Sequence, residues 1–117
     1  MSHVLSIDAA LKVREGVVAD DLHFDNAPWE TYFSEWGYDP ESNTYDIMGL
    51  VETNDVMSCL RNVHHLLNEF VPYVCDGEDA YVIDEDASWP AGWRFVFKDG
   101  EVVCYEGMMV FLDKITL

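Results

Sequence analysis

The chain has 117 residues, half of them apolar, and 23 Asp and Glu against six Lys and Arg, for a formal charge of −17. Its length fits one domain, and that charge excludes direct binding to DNA, RNA or an anionic membrane. Four Trp, six Tyr and six Phe exclude a solvated acidic tail, and no apolar run approaches the roughly 18 residues of a membrane span.

Residues 3–14 alternate, with Leu5, Ile7, Ala9, Leu11 and Val13 on one side and Ser6, Asp8, Ala10, Lys12 and Arg14 opposite. This is the period of a half-buried strand. The same N-terminal stretch has no basic segment of an export signal, and none is expected. Glu15-Gly16 reads as a turn, Val17–Ala19 as a short return strand, and Asp20-Asp21 as its end. At 28–36, Trp29, Tyr32, Phe33 and Trp36 recur at helical spacing, with Pro28 suited to the first turn and Gly37 to the C-terminal cap. A short helix is predicted there. An acidic loop at 39–46 leads into a strand over Tyr45–Glu52.

One long helix is expected over 55–71. Asn54 is the expected N-cap, Asp55 complements the helix dipole, and Val56, Leu60, Val63, Leu67 and Phe70 form the core-facing stripe. Pro72 stops it. Tyr81–Ile83 is a strand between acidic blocks. Trp93–Lys98 and Glu101–Glu106 form a hairpin through Asp99-Gly100, residues that tolerate the positive φ of a type I′ turn. That loop length sets Lys98 opposite Glu101, Phe97 opposite Val102 and Phe95 opposite Cys104. A last strand is expected at Met108–Leu112. The predicted class is α+β: a predominantly antiparallel sheet with the long helix packed on a face and the short helix near 28–36.

The charge is unevenly placed. Arg61 is the only Lys or Arg between Glu15 and Trp93, against eleven acids before it and seven after it. The densest cluster is Asp76, Glu78, Asp79, Asp84, Glu85 and Asp86, bracketing a short strand. These six are the first candidates for contact with a partner. Asp20, Asp21 and Asp25 form a second acidic group, and Trp89, in a turn beside the first, is the one candidate aromatic contact. Trp29, Trp36 and Trp93 are assigned to the core.

Other chemistries find little footing. The acidic clusters do not match a calcium-binding loop, and His64 and His65 are adjacent rather than spaced to chelate one ion. There is no Gly-rich phosphate loop, no G-x-S-x-G elbow and no credible Cys–His pair. No enzyme, metal or cofactor is therefore expected. Cys59, Cys75 and Cys104 are an odd number without a C-x-x-C pair, which predicts reduced, buried thiols in a cytoplasmic protein.

An acidic domain of this kind is expected to bind a strongly basic surface. The leading expectation is an inhibitor that mimics DNA on a nucleic-acid-binding protein, such as a CRISPR effector complex or a restriction system, as small phage-encoded inhibitors do. The alternative is an immunity protein that neutralises a cognate nuclease toxin. A third reading treats the acidity as adaptation to high salt. Tyr105, Met108, Met109 and Phe111 suit a core strand and a dimer edge equally, so monomer and homodimer both stay open.

Overall fold

Strand β1 (His3–Lys12) alternates as the sequence demands: Leu5, Ile7, Ala9 and Leu11 are buried, while Asp8, Ala10 and Lys12 are exposed. In this computed structural model, residues 2–22, 24, 26–86, 91–108 and 111–117 are described, with 26, 27, 108 and 111–113 as backbone only. After β1 come a 3₁₀ turn at Ala19–Leu22, α1 (Asn26–Tyr32), β2 (Glu35–Asp39), β3 (Thr44–Thr53) and α2 (Val56–Asn68). The remainder is β4 (Asp79–Asp84), β5 (Ala91–Lys98), β6 (Glu101–Met108) and β7 (Phe111–Ile115).

The strands form one seven-stranded sheet in the order β2-β3-β1-β4-β5-β6-β7. Every pairing is antiparallel. The helices cover one face, where Cys59, Leu60, Val63, Leu66 and Leu67 of α2 join a single core with the buried residues of the strands. The other face is open to solvent, a common arrangement for antiparallel sheets. At one end of the core, Phe24 stacks on Trp29 with ring centroids 4.9 Å apart, and Phe70 lies 4.4 Å from Phe24 and 4.9 Å from Tyr45. Burying an aromatic such as Phe70 contributes about 2–3 kcal/mol.

The sheet dominates, and several expected elements differ from those observed. The long helix is not formed: α2 has 13 residues, capped by Asp55 rather than Asn54, with the Asp55 carboxylate accepting from the Ser58 N–H at 3.0 Å. Beyond Asn68 the chain winds more tightly, Phe70 N–H donating to Leu67 O and Val71 N–H to Asn68 O. These turns sink Phe70 into the core and deliver Val74 to its bridge with Val13. The short helix lies at 26–32 rather than 28–36, because the ladder of β3 captures the following residues. Ser34 N–H donates to Met48 O at 2.8 Å, and Trp36 and Gly37 become part of an edge strand. Trp36 still packs on Trp29, centroids 5.8 Å apart, so the apolar spacing is satisfied across a helix and a strand.

Val17–Ala19 is not a return strand. Both edges of β1 are taken, by β3 and β4, so no partner remains for it. The hairpin forms in the expected register, Lys98 opposite Glu101 and Phe95 opposite Cys104, with Asp99 at φ 52° and Gly100 at φ 78°. The last strand runs from Phe111 to Ile115, and Met108 stays in β6 opposite Phe111. His64, at the margin of the α2 stripe, sets its Nε2 2.7 Å from Val102 O on β6.

Candidate functional site

The acids of 76–86 stand at the two ends of β4, five residue steps or about 17 Å apart. Most of them are engaged within the molecule. At one end Asp76 Oδ1 lies 3.7 Å from Arg14 Nη2, and Glu78 Oε1 accepts from the Lys12 N–H at 2.8 Å. Asp79 Oδ2 accepts from Arg94 Nε at 2.8 Å and from the Tyr81 hydroxyl at 3.2 Å. That hydrogen bond holds the Arg94 guanidinium still more firmly in its charged form. At the other end Asp84 Oδ2 accepts from His3 Nδ1 at 2.9 Å and Asp84 Oδ1 from the Asp86 N–H at 3.0 Å. Asp86 Oδ2 accepts from the Val4 N–H at 2.7 Å, while the Glu85 side chain is exposed. These carboxylates fasten β4 and its flanks to β1 and β5.

Among the described residues, no hydrogen bond or ion pair joins Asp20 or Asp21 to the acids of 76–86. Asp20 and Asp21 sit in the 3₁₀ turn, whose Leu22 is buried in the core beneath the helices, and Asp21 Oδ2 accepts from the Val18 N–H at 3.2 Å. Asp25 and Trp89 lie outside the described residues. Trp29 and Trp93 are core residues, and each is anchored by a carboxylate. Trp29 Nε1 donates to Glu69 and Trp93 Nε1 to Glu106, both at 3.0 Å.

Among the described residues, both Arg–carboxylate pairs, Arg14–Asp76 and Arg94–Asp79, and the His3–Asp84 contact involve acids of 76–86. The described acids of 15–55 have no ion-pair partner. Several of them share the open face of the sheet. There the register aligns Glu35 of β2, Met48 of β3, Asp8 of β1, Tyr81 of β4, Arg94 of β5, Tyr105 of β6 and Lys114 of β7 in one row across the strands. The row is acidic on the β2–β3–β1 side and basic on the β5–β7 side. Two-residue steps along β2 and β3 add Asp39, Asp46 and Glu52 to the acidic side. A shallow groove of about 320 Å³ opens beside Gly37, between Glu35, Asp39 and Asp46.

Four large apolar side chains are exposed among the described residues, and two of them, Met48 at 53% and Leu50 at 68%, stand side by side on this acidic half. Sequence reasoning passed over them. The signal was present: Asp46, Met48, Leu50 and Glu52 share a face by the period-2 rule, so two apolar residues fall on the polar side of β3.

Two of the three thiols, Cys59 and Cys104, are withdrawn into the core. Burial pushes the Cys104 thiol up to about 12, with Glu106 adding to the shift, and raises that of Cys59. Burial also lifts the Tyr45 hydroxyl to about 12. All three cysteines are free; Cys59 and Cys104 are buried and Cys75 is half-buried. No group of three or more His, Cys, Asp and Glu side chains is placed to hold a metal ion among the described residues. No helix of the described residues is long and apolar enough to cross a membrane. The arrangement presents a charged surface carried on one hydrogen-bonded sheet. No protein-family model, curated protein or solved structure matches the chain.

Proposed function

We propose that this protein is an acidic binding protein that occupies the basic nucleic-acid-binding surface of a partner, standing in for DNA. The supporting observation is the distribution of ion pairs. The acids of 76–86 are largely engaged inside the molecule, whereas the described acids of 15–55 have no cationic partner. Four of the latter, Glu35, Asp39, Asp46 and Glu52, stand on a sheet that holds them at fixed spacing. Asp46 of β3 lies opposite Gly37, midway between Glu35 and Asp39 of β2 and about 8 Å from each, close enough to act as one field on a row of Lys and Arg. Such a field steers association and makes it strongly dependent on salt. A CRISPR effector complex or a restriction enzyme in the reducing cytoplasm is the kind of target this implies, and free thiols suit that compartment.

The test is capture of a partner from host lysate followed by competition with duplex DNA. DNA is expected to displace the protein, and the combined variant Asp8→Asn, Glu35→Gln, Asp46→Asn and Glu52→Gln is expected to lose at least about tenfold in affinity. A partner that DNA cannot displace sinks the mimic mechanism. If that partner is a nuclease bound away from its DNA site, the protein is instead its immunity factor.

A further inference from the structure

The open sheet face carries more than charge. Met48 and Leu50 are adjacent on β3, and Met48 is ringed by carboxylates: Glu35 and Asp8 are its direct neighbours on the two flanking strands, and Asp46 precedes it on β3. Glu52 closes the ring beyond Leu50. The flanking strands put Glu35 and Asp8 about 10 Å apart with Met48 between them, the width of one helix. An apolar centre inside a charged rim is how protein interfaces are built, and here the rim has a single sign. Exposed apolar side chains standing together mark contact surfaces, and these sit where solvation of the surrounding acids would otherwise keep the face empty.

We infer that this half of the sheet is a docking surface for a basic protein element that inserts one or two apolar side chains between Lys and Arg. Charge complementarity selects the occupant. A second copy of this acidic chain would set acid against acid over this half of the face, and a neutral apolar partner would strip water from four carboxylates without pairing them. The inference rests on the reading above and adds to it that affinity comes from Met48 and Leu50, while the acids steer and align. It also moves the contact away from 76–86, whose acids are fastened to β1 and β5.

Two synthetic probes test it: a short helical lysine peptide bearing two leucines one turn apart, and the same peptide with both leucines replaced by lysine. Titrated into ¹⁵N-labelled protein, the leucine peptide is expected to shift the amides of 46–52 and their cross-strand neighbours. Met48→Ser with Leu50→Ser is expected to weaken the leucine peptide about tenfold and the all-lysine peptide less than twofold, since both side chains are exposed and only the first probe covers them. Shifts centred on 76–86 or on the helical side would overturn the assignment, as would equal losses for both peptides or no loss for either. The single variant Leu50→Ala repeats the comparison if the double variant alters the unbound spectrum. DNA competition separates the two proposals. If the leucine peptide maps to β3 but DNA displaces no partner, the docking face stands and mimicry falls. If DNA competes but the peptide maps elsewhere, mimicry stands and the docking face falls.

Discussion

Single carboxylates in this molecule divide into those that hold the fold and those that face solvent, and substitution separates them. The Asp84 side chain is only 10% exposed, accepts from both His3 and the Asp86 N–H, and fixes the end of β1 against β4. Asp84→Ala leaves those donors unmatched and is expected to cost about 1–2 kcal/mol in urea unfolding. Glu85→Gln, one residue away and exposed, is expected to change stability by less than about 0.5 kcal/mol. Equal effects would mean that the fastening contacts contribute nothing. The buried titrating groups make a second prediction, at alkaline pH. Tyr45 is raised from 10.0 to about 12 and Cys104 from 9.0 to about 12. Both are neutral when protonated, so the folded state holds the proton more tightly than the unfolded one. The stability this provides is complete below about pH 9 and is lost as the pH climbs towards 12. The urea midpoint should therefore stay flat to about pH 9 and then fall. Tyr45→Phe should make the decline above pH 10 shallower; an unchanged decline would remove Tyr45 from the account.

Between elements, the close approach of β3 to the turn after α1 depends on one missing side chain. Gly49 is buried on the core side of β3, and a Cβ there would run into the backbone carbonyl of Tyr32 and lie 3.2 Å from the Cα of Phe33. Backbone cannot swing aside as a side-chain tip can. Gly49→Ala is expected to destabilise by about 3 kcal/mol and to loosen α1 and β2 together, read as faster amide exchange at Phe33 and Ser34. A variant as stable as the parent would show that this approach is not tight. The same region shows where the sequence was legible. The register of the β5–β6 hairpin was readable, because Asp99-Gly100 dictates a turn whose geometry fixes every pair behind it. Both strands run two residues further from the turn than expected, to Ala91 and Met108. β1 was readable because its alternation is unbroken over ten residues. Trp29, Tyr32, Phe33 and Trp36 misled: their spacing suits a helix, but their common burial is met by a helix, a turn and an edge strand converging on Trp29. The pairing that draws Trp36 into β2 is a hairpin closed by residues 40–43, with Asn43 at φ 54°, and that segment carries no Asn-Gly or Asp-Gly signal to announce it. The contacts made by the candidate acids are non-local. A run of acids such as 76–86 is visible in sequence, whereas the donors that occupy it, His3, Val4, Lys12, Arg14 and Arg94, come from elsewhere in the chain. The face formed by Asp8, Glu35, Met48 and Leu50 is likewise assembled from three strands.

Over the whole molecule, a charge of −17 confined to a radius of gyration of 13.9 Å makes self-repulsion a term of its own. At about 0.01 M salt the screening length is roughly 30 Å, longer than the molecular radius, so every carboxylate feels all the others; at about 0.15 M it is roughly 8 Å, and only near neighbours matter. Raising NaCl across this range is expected to stabilise the fold by about 1 kcal/mol, or roughly 5 °C in thermal midpoint, and further salt should add little. The fold itself should persist at the low end. Its core is continuous across the sheet and both helices, and ion pairs contribute little to it. Partner binding should move the opposite way, since an interface between opposite charges is screened by the same ions. A midpoint that rises with salt while affinity falls is what an acidic surface kept for binding requires. A chain that unfolds below molar salt would show instead that its acidity is an adaptation to brine, and the charge would then carry no information about a partner.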